Sequence, residues 1–248
     1  MPKQYFAFRN FTLYQSHAAM KAGTDSVLLG AWSALERAHR LLDIGSGTGI
    51  LALFAAQRNP NARITAIEID PEAAKDAALN FKNSPYSERL ELLNEDFRVF
   101  SQNIESQSIF LPKYDYILSN PPYFSQALLS PDAQRTQARH DSTLTYRELI
   151  QGVARLLAPE GKFSLIIPEE YAPTVRAEAF DERLYTCRQT VVSAKSSGEG
   201  TRRVLLEFAR TLEICRTDTF SIHEANGAYS TRFRELTRPL YREGYFES

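Results

Sequence analysis

The tetrapeptide Asn120-Pro121-Pro122-Tyr123 directly follows Tyr114-Asp115-Tyr116-Ile117-Leu118-Ser119, a run that spells a short buried strand. Prolines fix φ and carry no N–H, so the peptide is stiff and its carbonyls are free to accept. The Asn120 side-chain oxygen and the Pro121 carbonyl together offer two acceptors to one planar NH2 group, an amide or an exocyclic amine. Tyr123 adds a flat face on which a planar group can stack. Taken alone, the same four residues read more readily as a proline-rich end to a strand. Their company decides between the two.

Seventy-odd residues earlier stands Asp43-Ile44-Gly45-Ser46-Gly47-Thr48-Gly49, between a strand pattern and a helix pattern. Gly45, Gly47 and Gly49 let the backbone turn sharply and approach a ligand with no side chain between. The spacing G-x-G-x-G differs from the dinucleotide fingerprint G-x-G-x-x-G, which seats a pyrophosphate on a helix N-terminus. A carboxylate just before the loop, Asp43, also disfavours a polyphosphate and favours an amine or a cation. Glu68 ends the next strand pattern, nineteen residues past Gly49, where an acid accepts from both hydroxyls of a ribose. Asp96, at the end of the third, is placed to accept from an adenine amine. Each acid singly reads as a helix cap or a solvated loop charge. Together they fit a ligand with an amine, a ribose and an adenine, and S-adenosyl-L-methionine has all three.

These residues need a frame to bring them together, and the periodicity supplies one. Phe6 to Tyr14 alternates apolar and polar residues as a short strand or hairpin with one irregularity. Thr24-Asp25 is suited to cap a helix through Ser26 to Trp32. Strand patterns cover Arg40–Ile44, Arg63–Ile69, Arg89–Leu93, Tyr114–Ser119 and Gly161–Pro168. Helix patterns cover Ile50–Gln57, Pro71–Phe81, Tyr146–Leu157 and about Glu169–Phe180, with proline in the first turn of the second. Two further strands are expected at Thr186–Ala194 and Arg203–Phe208. Such alternation predicts an α/β fold, a mostly parallel sheet with helices on both faces. The chain is read as one domain: an N-terminal extension (1–39), a catalytic core (40–210) and a C-terminal extension (211–248). The polar stretch Phe124–Thr145 is long for a connection inside a compact domain, and loops of that length are commonly functional.

Composition excludes several classes. The 248 residues carry a net charge of −1, so any nucleic-acid contact must use a local basic patch rather than bulk charge. Cys187 and Cys215 are too few for a zinc cage and sit in no paired motif, which predicts free thiols in a reducing compartment and no metal. No apolar run approaches the ~20 residues that cross a bilayer. Nor does Met1 to Asn10 resemble a signal peptide, so a soluble cytoplasmic protein is expected.

Leu42 to Gly49, Glu68, Asp96 and Asn120-Pro121-Pro122-Tyr123 resemble the motifs of class I S-adenosylmethionine-dependent methyltransferases. The N-P-P-Y element narrows the likeness to those that methylate adenine N6, guanine N2 or a glutamine amide. Lys21 to Trp32, Ala138-Arg139-His140 and Tyr229-Ser230 with the Leu236–Tyr241 tail are similar to the bacterial valine-tRNA adenine-N6 methyltransferases. That resemblance spans essentially the whole chain. It implies a Rossmann-like sheet of seven strands, whose last pair breaks the parallel run with an antiparallel strand. It implies methylation of the adenosine immediately 3′ of the anticodon, tRNA position 37, of a valine tRNA. It adds Lys21, Thr24 and Phe97 to the cofactor residues, with Asn120 serving both cofactor and target, and makes Asn120, Pro121, Pro122 and Tyr123 the catalytic set.

For the tRNA, Arg139, Lys195 and Arg203 are the expected contacts, although any one of them also reads as a solvated surface charge. No membrane, metal or obligate protein partner is expected. A glutamine-amide or rRNA guanine-N2 methyltransferase stays open as an alternative, since N-P-P-Y does not separate them. The former usually carries a helical N-terminal domain for which the forty residues before the first sheet strand leave no room. A non-catalytic RNA-binding relative would be expected to lose the glycines or the asparagine, and all are present.

Overall fold

The computed structural model describes residues 5–18, 21, 23–106, 113–121, 144–198 and 200–247. The chain opens with a two-stranded antiparallel hairpin, β1 (Tyr5–Ala7) and β2 (Thr12–Tyr14), followed by α1 (Thr24–Trp32). It continues through β3 (Arg40–Ile44), α2 (Ile50–Arg58), β4 (Arg63–Ile67), α3 (Pro71–Asn83), β5 (Leu90–Leu93), α4 (Phe97–Ser106) and β6 (Tyr114–Ser119). Next come α5 (Tyr146–Leu156), β7 (Leu157–Pro168), α6 (Ala172–Asp181), β8 (Tyr185–Lys195), β9 (Arg202–Ala209), β10 (Arg216–His223) and α7 (Thr231–Thr237).

The main sheet runs β10-β8-β9-β7-β6-β3-β4-β5. Strands β3 to β7 pair in parallel, and β9 runs antiparallel to both β7 and β8. That is the expected mostly parallel sheet with one antiparallel strand, but among the described residues it has eight strands rather than seven. The eighth, β10, pairs in parallel with the edge of β8. Its sequence, Arg-Thr-Asp-Thr-Phe-Ser-Ile-His, is apolar only at Phe220 and Ile222 and exposed over its first half, so it lacks the consecutive apolar residues of the inner strands.

Alternation along each inner strand feeds two cores, one on each face. Leu41, Tyr116, Leu118, Ile166 and Leu205 join the core under α1 and α2. Leu42, Ile44, Ile117, Phe163, Leu165, Leu206 and Phe208 join the other, with residues of α5 and α6. Successive side chains of a strand point to opposite faces, so a strand covered on both carries consecutive apolar residues, as Tyr116–Leu118 of β6, Leu165–Ile167 of β7 and Val204–Leu206 of β9 show.

Local signals set the helix starts. Asp70 caps α3, accepting from Glu72 N at 3.0 Å with Pro71 in the first turn. Thr145 and Glu148 form a reciprocal capping box on α5. The expected cap at Thr24-Asp25 is different: Gly23 is the cap residue, Thr24 is already helical, and Asp25 instead pairs with Arg203 on β9 at 3.0 Å. No described helix is long and apolar enough to cross a membrane.

Candidate active site

The strands β3, β4, β5 and β6 end on one side of the sheet, and β3 lies between β4 and β6. The chain leaves β3 toward α2 and β4, whereas β6 is added on the opposite flank. Open α/β sheets bind ligands in the crevice at such a switch point. A cavity of about 370 Å³ occupies it here, lined by the 44–51 loop and helix start, Glu68, Asp96, Asn120 and their neighbours.

The glycine loop is held from below and left open above. Gly45 N and Ser46 N both donate to Ile67 O at 2.9 Å, and Gly47 N donates to Glu68 Oε2 at 2.7 Å. Gly45 and Gly47 have φ of 68° and 55°, and a Cβ built on either meets nothing within 4 Å. Backbone thus faces the cavity with room for a ligand to approach it. Gly49 does a different job. It takes φ 80° before α2, and a Cβ there would stand 2.4 Å from the Phe81 ring, so it lets α2 start against α3 without lining the cavity.

Glu68 follows β4 and is buried, with its second oxygen, Oε1, accepting from Asp70 N at 2.8 Å. Each oxygen keeps a second lone pair for a hydroxyl donor. Asp96 and Phe97 follow β5 and line the same cavity. Arg98 grips Asp96, with Nη2 to Oδ2 at 2.6 Å and backbone N to Oδ1 at 2.8 Å, and these bonds hold the carboxyl below its ordinary range. Arg98 also lines the cavity and was not anticipated from sequence; its position two residues after an acid at a strand end is the signal. Gly152 on α5 lets the Phe97 ring pack, since a Cβ there would sit 2.4 Å from it.

Asn120 and Pro121 complete the far wall, with Ser119 below them donating from Oγ to Ile44 O at 3.0 Å. Asn120 Nδ2 donates to Ser26 Oγ at 3.0 Å, a contact from a buried serine of α1 that periodicity does not reveal. Lys21 and Ala18 line the rim. The segment that carries Ala18 is pinned by Asp76, whose Oδ2 accepts from His17 N at 2.8 Å and Ala18 N at 2.9 Å.

Asp43 is fully buried and does not line the cavity. Its Oδ2 accepts from Ala52 N at 3.1 Å, while Oδ1 has no partner among the described residues. Burial pushes its carboxyl up to about 7, the Ala52 hydrogen bond opposing and the nearby Glu68 charge assisting. Thr24 is exposed and also lies outside the lining. Of the expected RNA contacts, Lys195 is exposed at the end of β8, and Arg203 is turned inward to Asp25. Pro122, Tyr123, Phe124 and Arg139 fall outside the described residues. Among those described, no group of three or more His, Cys, Asp or Glu is placed to hold a metal.

Comparison with known proteins agrees with this geometry. Residues 14–191 match the methyltransferase small domain family. A tRNA1(Val) (adenine(37)-N6)-methyltransferase of Bacteroides thetaiotaomicron is 43% identical over 242 residues, covering 97% of this chain and 98% of the relative. The chain belongs to the tRNA1(Val) (adenine(37)-N6)-methyltransferase family. A member from Aeromonas hydrophila is 38% identical over 237 residues, 95% of this chain and 96% of its own. The family fold is also seen in a crystal structure of a predicted O-methyltransferase from Agrobacterium tumefaciens. It has a TM-score of 0.67 and 21% identity and covers 88% of this chain and 97% of that one.

Proposed function

We propose that this chain transfers the methyl group of S-adenosyl-L-methionine to N6 of the adenosine at position 37 of a valine tRNA. The observation that carries the reading is a single cavity lined by Gly45, Gly47, Glu68, Asp96, Asn120 and Pro121, in a chain whose relatives bear that name over nearly their whole length.

The residues fit the cofactor in three respects. Gly45 and Gly47 leave backbone where a side chain would block a ligand. Glu68 and Asp96 present acceptors to a ribose and an adenine. Asp43 keeps a buried oxygen without a donor directly behind the loop, which suits a cationic ligand above it. Lys21 stands at the rim, Gly49 acts through the backbone it shapes, and Thr24 lies outside the lining.

When bound, S-adenosyl-L-methionine supplies a methyl group on a positively charged sulfur, already a strong electrophile. What the protein must do is aim a weak nucleophile at it. The N6 lone pair of adenine is delocalised into the ring. Asn120 Oδ1 and the Pro121 carbonyl accept the two N6–H bonds and draw nitrogen toward tetrahedral geometry, so that its lone pair is exposed for attack. The surplus proton leaves N6 afterwards through these same acceptors or water, and no strong base is required beforehand. Positioning of this kind is worth effective molarities of roughly 10⁵ M or more in favourable cases. The base must leave its stack to enter, and an unpaired anticodon-loop base costs least to extrude. Tyr123 and Pro122 would shape the slot that receives it, and Arg139 and Lys195 would meet the RNA. Arg203, paired with Asp25, serves better as a brace for α1.

The test uses methyl-labelled S-adenosyl-L-methionine, total tRNA from a strain lacking the gene, and nucleoside mass spectrometry. N6-methyladenosine confined to a valine tRNA supports the reading. Label in rRNA guanine or a protein glutamine instead keeps methyl transfer and discards the substrate.

A further inference from the structure

Ser26 is the odd residue on α1. The helix reads Thr-Asp-Ser-Val-Leu-Leu-Gly-Ala-Trp, and Val27, Leu28, Leu29 and Trp32 are spent on packing. A serine there contributes neither helix propensity nor apolar area. Yet it is only 6% exposed, it lines the cavity, and its hydroxyl oxygen accepts from Asn120 Nδ2 at 3.0 Å across 94 positions of sequence.

We infer that Ser26 is a positioning residue for methyl transfer, fixing the plane of the Asn120 amide so that Oδ1 is already aimed when the target amine arrives. This rests on Asn120 being the acceptor for that amine, as proposed above.

The terminal torsion of an asparagine is broad and roughly two-fold, so an amide without a partner samples many planes. A bond to a fixed hydroxyl removes that freedom. A serine oxygen serves either end of an amide, so Ser26 does not by itself choose which end faces it. The substrate amine chooses, since it is a pure donor in this setting and requires an acceptor. With Oδ1 on the amine and Nδ2 on Ser26, both ends of Asn120 are satisfied at once.

The hydroxyl is useful only if α1 itself does not move, and the helix is clamped at both ends. Next to Ser26, Asp25 pairs with Arg203 of β9 at 3.0 Å. At the other end Trp32 Nε1 donates to Thr190 Oγ1 at 2.9 Å, and Arg58 Nη1 donates to Gly30 O and Ser33 O at 2.6 and 2.7 Å. Gly30 lies so close to Phe54 of α2 that a Cβ would stand 2.6 Å from its ring. These contacts fasten α1 to β9, β8 and α2.

The experiment is a double-mutant cycle on the full-length enzyme with tRNA, read by single-turnover methyl transfer. Ser26→Ala is expected to slow transfer about tenfold or more, the size of losing one orienting hydrogen bond. The tRNA KM and the cofactor Kd should stay within about twofold. In an Asn120→Ala background the same Ser26→Ala change should have almost no effect, because the amide it orients is gone. Ser26→Thr, which keeps the hydroxyl, should recover most of the rate.

An unchanged rate in Ser26→Ala overturns the inference. So does an equal loss in both backgrounds, which would place Ser26's role elsewhere, or a parallel loss of cofactor affinity, which would mean the cavity as a whole was damaged. A wild-type enzyme that leaves tRNA adenine unmethylated would instead sink the reading of the site.

Discussion

Two buried carboxylates of one sheet, Asp43 on β3 and Glu207 on β9, are treated in opposite ways. Glu207 is surrounded by its own donors: Arg188 Nη2 at 2.8 Å, Ser164 Oγ at 3.3 Å, the Tyr116 hydroxyl, and Lys162 at 3.7 Å. Burial alone would push its carboxyl up, but Arg188 and these hydrogen bonds outweigh burial and hold it below the ordinary range. Arg188 is itself stacked over Trp32, 3.7 Å from the ring centre. Asp43 receives one backbone N–H and has one oxygen with no donor among the described residues, and its carboxyl is pushed up to about 7. Where the chain supplies the counter-charge itself, a buried acid is architecture. Where it withholds it behind the loop that lines a cavity, the acid is, on the function proposed above, one that the charge of a cationic ligand completes.

The sharpest way to break that contrast is to remove the architectural acid. Glu207→Ala leaves Arg188 facing a buried hole and should cost about 3–5 kcal/mol of stability, read from urea denaturation. Cofactor affinity per folded molecule should not change. On the cavity side, Asn120→Ala should slow methyl transfer by about 100-fold or more while leaving the cofactor Kd within about twofold, checked by single-turnover kinetics and calorimetry. A joint loss of both would give Asn120 a cofactor role instead. Glu68→Ala should weaken S-adenosylhomocysteine about tenfold to a hundredfold, as expected for lost hydrogen bonds to a charged acceptor. Part of that loss arises because Gly47 N loses its partner and the loop loosens.

The smallest effect concerns pH. Between its ordinary value of 3.8 and about 7, Asp43 holds a proton in the folded apo protein but not in the unfolded chain. Stability from this group is therefore greatest at the acid end of that window, declines as pH rises through it, and is level above about 7. Asp43→Asn should flatten that part of the profile, so its melting temperature gains on wild type at pH 8 more than at pH 5. A profile unaltered by the substitution would mean that Asp43 is already ionised and paired.

The sequence made the frame of this site readable wherever one residue type had one physical use. β3 and β6 match their expected bounds to the residue, because each is a mostly apolar run ended by a glycine loop or by Asn-Pro-Pro. Pro71 and Glu148 marked the starts of α3 and α5 for the same reason. The parts that stayed hidden depend on long-range partners. Helix α4 has an amphipathic face but no strong start signal beyond Asp96, whose place at a strand end suits a ligand contact as well as a helix cap. β10 and α7 stand in a stretch where polar and apolar residues give no clear period. Arg203, expected from sequence to be an RNA contact, instead lies against Asp25, 178 positions away. Gly49 stands in the glycine loop for a reason of backbone shape rather than of contact with the cavity, and spacing alone does not tell those reasons apart.

The most direct test of Asp43 as the acid that a cationic cofactor completes is proton release on binding. Calorimetry with S-adenosyl-L-methionine at pH 6, in two buffers of different ionisation enthalpy, counts protons lost as the complex forms. Wild type should release about one proton and Asp43→Asn about none, because ligand charge drives Asp43 to ionise. No release from wild type, or the same release from both proteins, would contradict it.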